Sequence, residues 1–168
     1  KRIRRLLETN VDVNEAIESK TPLHVACEIA DPAIVKLLLN HKAKVNVKND
    51  HQDTPLHLAC AKGSLKIVKM LLKAKANVHV YNSKKRTPLI IACQRKHLSL
   101  AKLLIKHHAD VNCTTTNSCS ALEICCSNQS HSLAELLLSH NSNARAINDY
   151  GVCPLYTACT TRNKKLIQ

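Results

Sequence analysis

Thr21-Pro22-Leu23-His24-Val25-Ala26-Cys27, TPLHVAC, recurs along the chain as TPLHLAC (54–60), TPLIIAC (87–93), SALEICC (120–126) and CPLYTAC (153–159), each copy 33 residues after the last. A single cysteine at the end of such a stretch would invite a catalytic reading. Here Cys27, Cys60, Cys93, Cys126 and Cys159 form one register. A nucleophile has no reason to be copied at constant spacing, whereas a packing position shared by every repeat does.

The local chemistry of each copy predicts a helix. Thr21, Thr54, Thr87 and Ser120 stand where a side-chain oxygen caps a helix amino terminus, and Pro22, Pro55 and Pro88 follow at the first helical position, where no N–H is missed. In the second copy this helix, 55–62, stops at Gly63, and Ser64 then caps a second helix with apolar Leu65, Ile67, Val68, Leu71 and Leu72 on one face. The other copies follow: DPAIVKLLLNH starts at Asp31 with Pro32 first in the helix, KHLSLAKLLIKHH spans 96–108 and SHSLAELLLSH spans 130–140. Polar segments rich in turn formers, at 47–53, 80–86, 113–119 and 146–152, separate one hairpin of helices from the next.

Composition agrees. Of 168 residues 45% are hydrophobic, enough for a core, yet Trp and Phe are absent and Tyr numbers three, so the core is built from small aliphatic side chains in thin layers. No apolar run approaches the roughly 20 residues that span a bilayer, and the basic start KRIRRLLETN lacks the apolar stretch of a secretion signal. The missing initiator Met, and an ending at KKLIQ inside a second helix, suggest a segment of a longer protein with at least one further repeat. Nine cysteines, an odd number with five in helical register, point to free thiols in a reducing compartment, cytoplasm or nucleus.

A 33-residue period carrying T-P-L-H-x-A resembles the ankyrin-repeat family. The resemblance implies an all-α solenoid of stacked helix-turn-helix units with protruding β-turn or hairpin loops. The chain then divides into a half-repeat cap and turn at 1–18, with Leu6 and Leu7 aligned to Leu38 and Leu39, repeats at 19–51, 52–84, 85–117 and 118–150, and a partial repeat at 151–168. It further implies a concave face of first helices and turns used for protein recognition. Departures from the family pattern carry information. Asn10, Lys42, Lys75, His108 and Asn141 replace the glycine that follows the second helix, a left-handed position costing a non-glycine residue about 1–2 kcal/mol. His24 and His57 match the family's inter-repeat histidine, but Ile90, Glu123 and Tyr156 replace it in later copies; Ala usually stands where the cysteines do.

Other residues with chemical potential have plainer roles. Cys113, Cys119, Cys125 and Cys126 with His107, His108 and His131 lack the paired spacing of a zinc site, so neither metal nor cofactor is expected. His41, His107 and His140 recur just after second helices, where they suit exposed carbonyls. With two glycines and no G-x-S-x-G or H-E-x-x-H, the segment reads as non-enzymatic.

Charge goes beyond the repeat pattern. Residues 54–109 hold 12 Lys and Arg and no Asp or Glu, against a whole-chain net of +13. Lys36, Lys66, Lys69, Lys73, Lys102 and Lys106 fall on second helices and read as a solvated face. Lys62 and Arg95 instead close first helices, and Lys84, Lys85 and Arg86 occupy a turn. With Asp50, His51, Ser83, Gln94, Thr116, Asn117, Ser127 and Asn128, these are the expected partner contacts by resemblance. The expected partner is a protein with an acidic or phosphorylated segment, bound by a monomer. The lack of Phe and Trp as stacking platforms disfavours nucleic acid, and no basic amphipathic helix bears aromatic anchors for a membrane surface. The alternative function is a structural spacer.

Overall fold

The computed structural model describes residues 12–161; the expected amino-terminal helix end (Leu6, Leu7, Asn10) and the second helix expected at 164–168 lie outside them. Among the described residues there are nine helices and no strand, with isolated antiparallel bridges at Ile17–Lys20 and Thr114–Ser120. The chain forms two compact units that divide between Asn77 and Val78.

Unit 1 holds α1 (Pro22–Glu28), α2 (Pro32–Asn40), α3 (Pro55–Lys62) and α4 (Leu65–Lys73). First helix packs on first (α1 on α3), second on second (α2 on α4), and each first helix on its own partner. Leu23, Cys27, Val35, Leu56, Cys60, Ile67, Val68 and Leu71 are fully enclosed. Unit 2 repeats the scheme with α5 (Pro88–Gln94), α6 (Leu98–Lys106), α7 (Ala121–Ser127), α8 (His131–Ser139) and α9 (Pro154–Thr160). There α7 lies between α5 and α9, and α6 packs on α8. Burying each such Leu or Ile stabilises by about 1.5–3 kcal/mol, so several small layers replace one aromatic core.

The first-helix caps act as expected, in two chemistries. Thr87 Oγ1 accepts from the Ile90 N–H at 3.3 Å and Ser120 Oγ from the Glu123 N–H at 3.1 Å. Thr21 and Thr54 place Oγ1 2.8 Å from Nδ1 of His24 and His57. Second-helix caps meet the expectation at Asp31 and depart from it at Ser64. Asp31 accepts from the N–H groups of Ala33 and Ile34 at 2.8 and 3.1 Å, but Ser64 makes no cap bond with its side chain. With ψ of 103° at Asp31 and 90° at Ser64, far from the extended 160–165° of Thr21 and Thr54, a carboxylate has the reach and a hydroxyl does not. His41 and His140 take up the carboxyl-terminal role, each Nδ1 lying 2.9 Å from a carbonyl, of Leu37 and Leu136 respectively.

Lys42, Lys75, His108 and Asn141 all adopt positive φ, 60–64°, the strain expected after the second helix. Two further left-handed registers appear at the same period: Ala30, Gly63, Lys96 and Gln129 end first helices, and Gln52, Lys85, Ser118 and Gly151 sit in turns. Only Gly63 and Gly151 meet this demand with the residue suited to it.

Repeats are tied together by named bonds. Thr21 N–H donates to His24 Nδ1 at 3.2 Å, so the ring proton is on Nε2, which donates to the Asp53 carbonyl at 3.1 Å. Burial holds His24 below the usual histidine pKa and keeps it neutral. Where Glu123 replaces this histidine, its Oε1 accepts from Asn148 Nδ2 of the following turn at 2.6 Å, so the link persists in another chemistry. Ile90 is buried without one, and Tyr156 is exposed.

The cysteine register is a packing register in four of its five copies: Cys27, Cys60, Cys93 and Cys126 are buried. Burial pushes the Cys27 thiol up to about 12 and the Cys126 thiol to about 11, the reverse of what a nucleophile needs. Cys159 is exposed, a departure from that reading, on a helix that no later described helix covers.

Candidate functional site

Three of the four turns are each held by one asparagine. Asn82 Oδ1 accepts from the N–H groups of Lys84 and Arg86, both at 3.0 Å, while Asn82 N–H donates to the Arg86 carbonyl at 3.1 Å. This closed turn presents Ser83, Lys84 and Lys85 to solvent. Asn49 does the same for Asp50 and His51 in unit 1, accepting from His51 and Asp53 at 3.0 and 2.9 Å, and Asn148 does so for Asp149 and Tyr150. Position 115 is Thr, and that turn keeps the shared backbone bond, Thr115 N–H on the Cys119 carbonyl at 3.1 Å, without the asparagine side chain.

In unit 2 the turns are braced against one another. Thr116 N–H donates to the Lys84 carbonyl at 3.4 Å, Asp149 N–H to the Asn117 carbonyl at 3.2 Å, and Asn117 Nδ2 to Tyr150 Oη at 3.1 Å. The first-helix ends form a second rank: Asn128 Nδ2 donates to the Gln94 carbonyl at 3.4 Å. Arg86 joins the two ranks, its Nη1 donating to Gln94 Oε1 at 3.4 Å. Unit 2 thus brings together Ser83, Lys84, Lys85, Arg86, Gln94, Arg95, Thr116, Asn117, Ser127 and Asn128 on turns and helix ends. Asp50, His51 and Lys62 belong to unit 1, all exposed, Lys62 as the last residue of α3.

Arg86 is half-buried and committed, so it is part of the frame more than of the contact surface. Lys84, Lys85 and Arg95 are exposed and, among the described residues, make no ion pair. Exposed Lys36, Lys66, Lys69, Lys73, Lys102 and Lys106 lie on the second helices, as read from sequence.

Three residues outside the expected set lie beside it in unit 2. Cys119, Glu123 and Ile124, with Gln94, Ser127 and Asn128, line an open depression of about 300 Å³. The signal was the exchange of histidine for glutamate at 123, which places a carboxylate at the first turn of α7. Burial raises its pKa above the usual carboxylate value, against the lowering effect of the Asn148 hydrogen bond. Among the described residues no group of three His, Cys, Asp or Glu side chains gathers to hold a metal ion.

The family model for ankyrin repeats matches residues 1–82 and 89–168. The chain belongs to the ankyrin-repeat family. Ankyrin repeats are in general non-catalytic modules of protein–protein interaction. No curated protein matches the chain. Among the described residues no helix is long and apolar enough to cross a membrane.

Proposed function

We propose that this ankyrin-repeat chain is an intracellular recognition module of a larger protein, binding an acidic or phosphorylated protein segment through its turns and first-helix ends. The observation that carries this reading is the set Lys84, Lys85 and Arg95, exposed, without an ion-pair partner among the described residues, and mounted on turns and a helix end that are cross-braced by hydrogen bonds. Cations held on a preformed frame bind with little ordering cost to the receptor, and complementary charge accelerates encounter and rejects wrong partners. Thr116, Asn117, Ser127 and Asn128 extend this surface within unit 2, and Asp50, His51 and Lys62 hold turn and helix-end positions of the same kind in unit 1. Nine free cysteines, most of them buried, support a reducing compartment.

The experiment is a quantitative pull-down from lysate with the wild type and a Lys84→Glu, Lys85→Glu, Arg95→Glu variant of equal melting temperature, with and without nuclease. Proteins retained after nuclease and lost on charge reversal support the reading. Bound material removed by nuclease would favour nucleic acid, and identical protein sets on both baits would leave a spacer whose lysines serve solubility.

A further inference from the structure

The depression in unit 2 lies at a register position whose side chains differ from repeat to repeat. Residues eight apart flank the first helix in each repeat. In unit 1 Lys20 Nζ and Glu28 Oε2 bridge at 2.7 Å, and in unit 2 Arg86 and Gln94 join at 3.4 Å. One period on, the pair is Cys119 and Ser127, two short side chains with no bond between them. Beside these two short side chains lies an opening of about 300 Å³, at the small end of ligand pockets (about 300–1,000 Å³).

Glu123 lies in this opening and is only 8% exposed. Its Oε1 accepts from Asn148 Nδ2 at 2.6 Å and the Ser120 backbone N–H also bonds its carboxylate, while among the described residues no cation pairs with it. The Asn128 amide nitrogen is spent on the Gln94 carbonyl, which leaves Oδ1 open, and the Ser127 hydroxyl is unbonded. The lining is therefore rich in acceptors around an enclosed carboxylate, and an enclosed carboxylate without a cation is costly. Ile124 and Cys119 supply apolar wall for an aliphatic stem.

We propose that this depression receives one basic side chain, arginine or lysine, from the bound protein segment, with Glu123 as its counter-ion. Arginine suits it best, because its fork of N–H groups meets a carboxylate and neighbouring oxygens together. Arg86, held on Gln94, and Arg95 at the end of α5 repel a lone cation, so the basic residue is accepted when its neighbours in the segment are acidic and lie against those arginines. The recognised pattern is a single basic residue set among carboxylates. This inference rests on the proposed recognition of an acidic segment, and it names the side chain that fixes register within that segment.

The test uses three fluorescein-labelled peptides, Glu-Glu-X-Glu-Glu with X as arginine, citrulline or glutamate, titrated into the wild type, Glu123→Gln, Lys84→Glu/Arg95→Glu, and Cys119→Arg/Ser127→Gln. The last variant copies the Arg86 and Gln94 pair and closes the opening without touching Glu123. The arginine peptide is expected to bind the wild type about tenfold more tightly than its neutral citrulline isostere, the scale of one charge-assisted bond. Glu123→Gln and Cys119→Arg/Ser127→Gln both reduce that ratio to near one. A ratio near one in the wild type, or a ratio that survives Glu123→Gln, overturns the proposal. If all three peptides bind the wild type alike and Lys84→Glu/Arg95→Glu abolishes binding, the socket fails while acidic recognition stands. If no peptide binds, acidic recognition fails, and the socket is judged by backbone amide shifts of Cys119, Glu123, Ser127 and Asn128 on adding millimolar acetyl-arginine amide against acetyl-citrulline amide. The absence of a Glu123-dependent difference there refutes it.

Discussion

His24→Ala removes one ring that serves two repeats, and the structure sets the size of the loss. The Thr21 N–H, now 3.2 Å from Nδ1, is left buried without a partner, and the Asp53 carbonyl loses the ring N–H at 3.1 Å while keeping the Asn49 N–H at 3.0 Å. An unsatisfied buried group costs about 1–3 kcal/mol, and the cavity left by a fully enclosed imidazole adds to it, giving about 3–5 kcal/mol in all. The pH dependence carries a sign of its own. Because burial depresses the folded-state pKa of His24, its contribution is present above the unfolded value of about 6.5 and is lost as pH falls toward the folded value. Urea unfolding of wild type and variant, followed by circular dichroism between pH 7.5 and 5, should therefore show a gap in stability that narrows on acidification. A loss below about 1 kcal/mol at pH 7.5, or a gap that widens as pH falls, would refute the assignment of His24 as a neutral, doubly bonded link.

Lys75→Gly, at φ 63°, is expected to stabilise by about 0.5–1 kcal/mol and raise Tm by about 1–4 °C in a scanning calorimeter, whereas a fall in Tm would mean the side chain contributes more than its strain costs. Glu123→Gln keeps an acceptor for Asn148 Nδ2 and should be more stable than wild type at pH 7.5. The raised folded-state pKa of Glu123 means that its stabilising effect is full below the unfolded value of about 4.5 and lost as pH rises through the folded one, so the advantage of the variant should vanish by about pH 4 in parallel melts. N-ethylmaleimide in native buffer should label exposed Cys159 before Cys27, Cys60 and Cys93, read by peptide mass mapping; early labelling of the buried three would contradict their packing role.

Helix pairs, first-helix caps and the period were legible because each depends on residues a few positions apart: Thr21 before Pro22, Asp31 before Pro32, Gly63 after Lys62. The missing cap at Ser64 was not, because it turns on a backbone angle that the residue type does not dictate. The left-handed residues Lys85, Lys96 and Gln129 were hidden for a related reason: glycine marks those registers only at Gly63 and Gly151. At the site, the exposed cations on turns could be read from charge and register together. The depression could not, since its lining joins Gln94 of one repeat to Cys119, Glu123, Ile124, Ser127 and Asn128 of the next, a grouping that needs coordinates. The commitment of Arg86 to Gln94, which makes it frame, likewise needs coordinates.

The central claim, that exposed cations on the braced turns of unit 2 recognise acidic protein sequence, is tested most directly by fluorescence anisotropy with labelled hexaglutamate. Wild type and the Lys84→Glu, Lys85→Glu, Arg95→Glu variant would be compared at about 50 and 300 mM salt, where screening of exposed charges differs severalfold. The account predicts binding by the wild type that weakens with salt and falls at least about tenfold in the variant. Equal binding by the two proteins at low salt would contradict it.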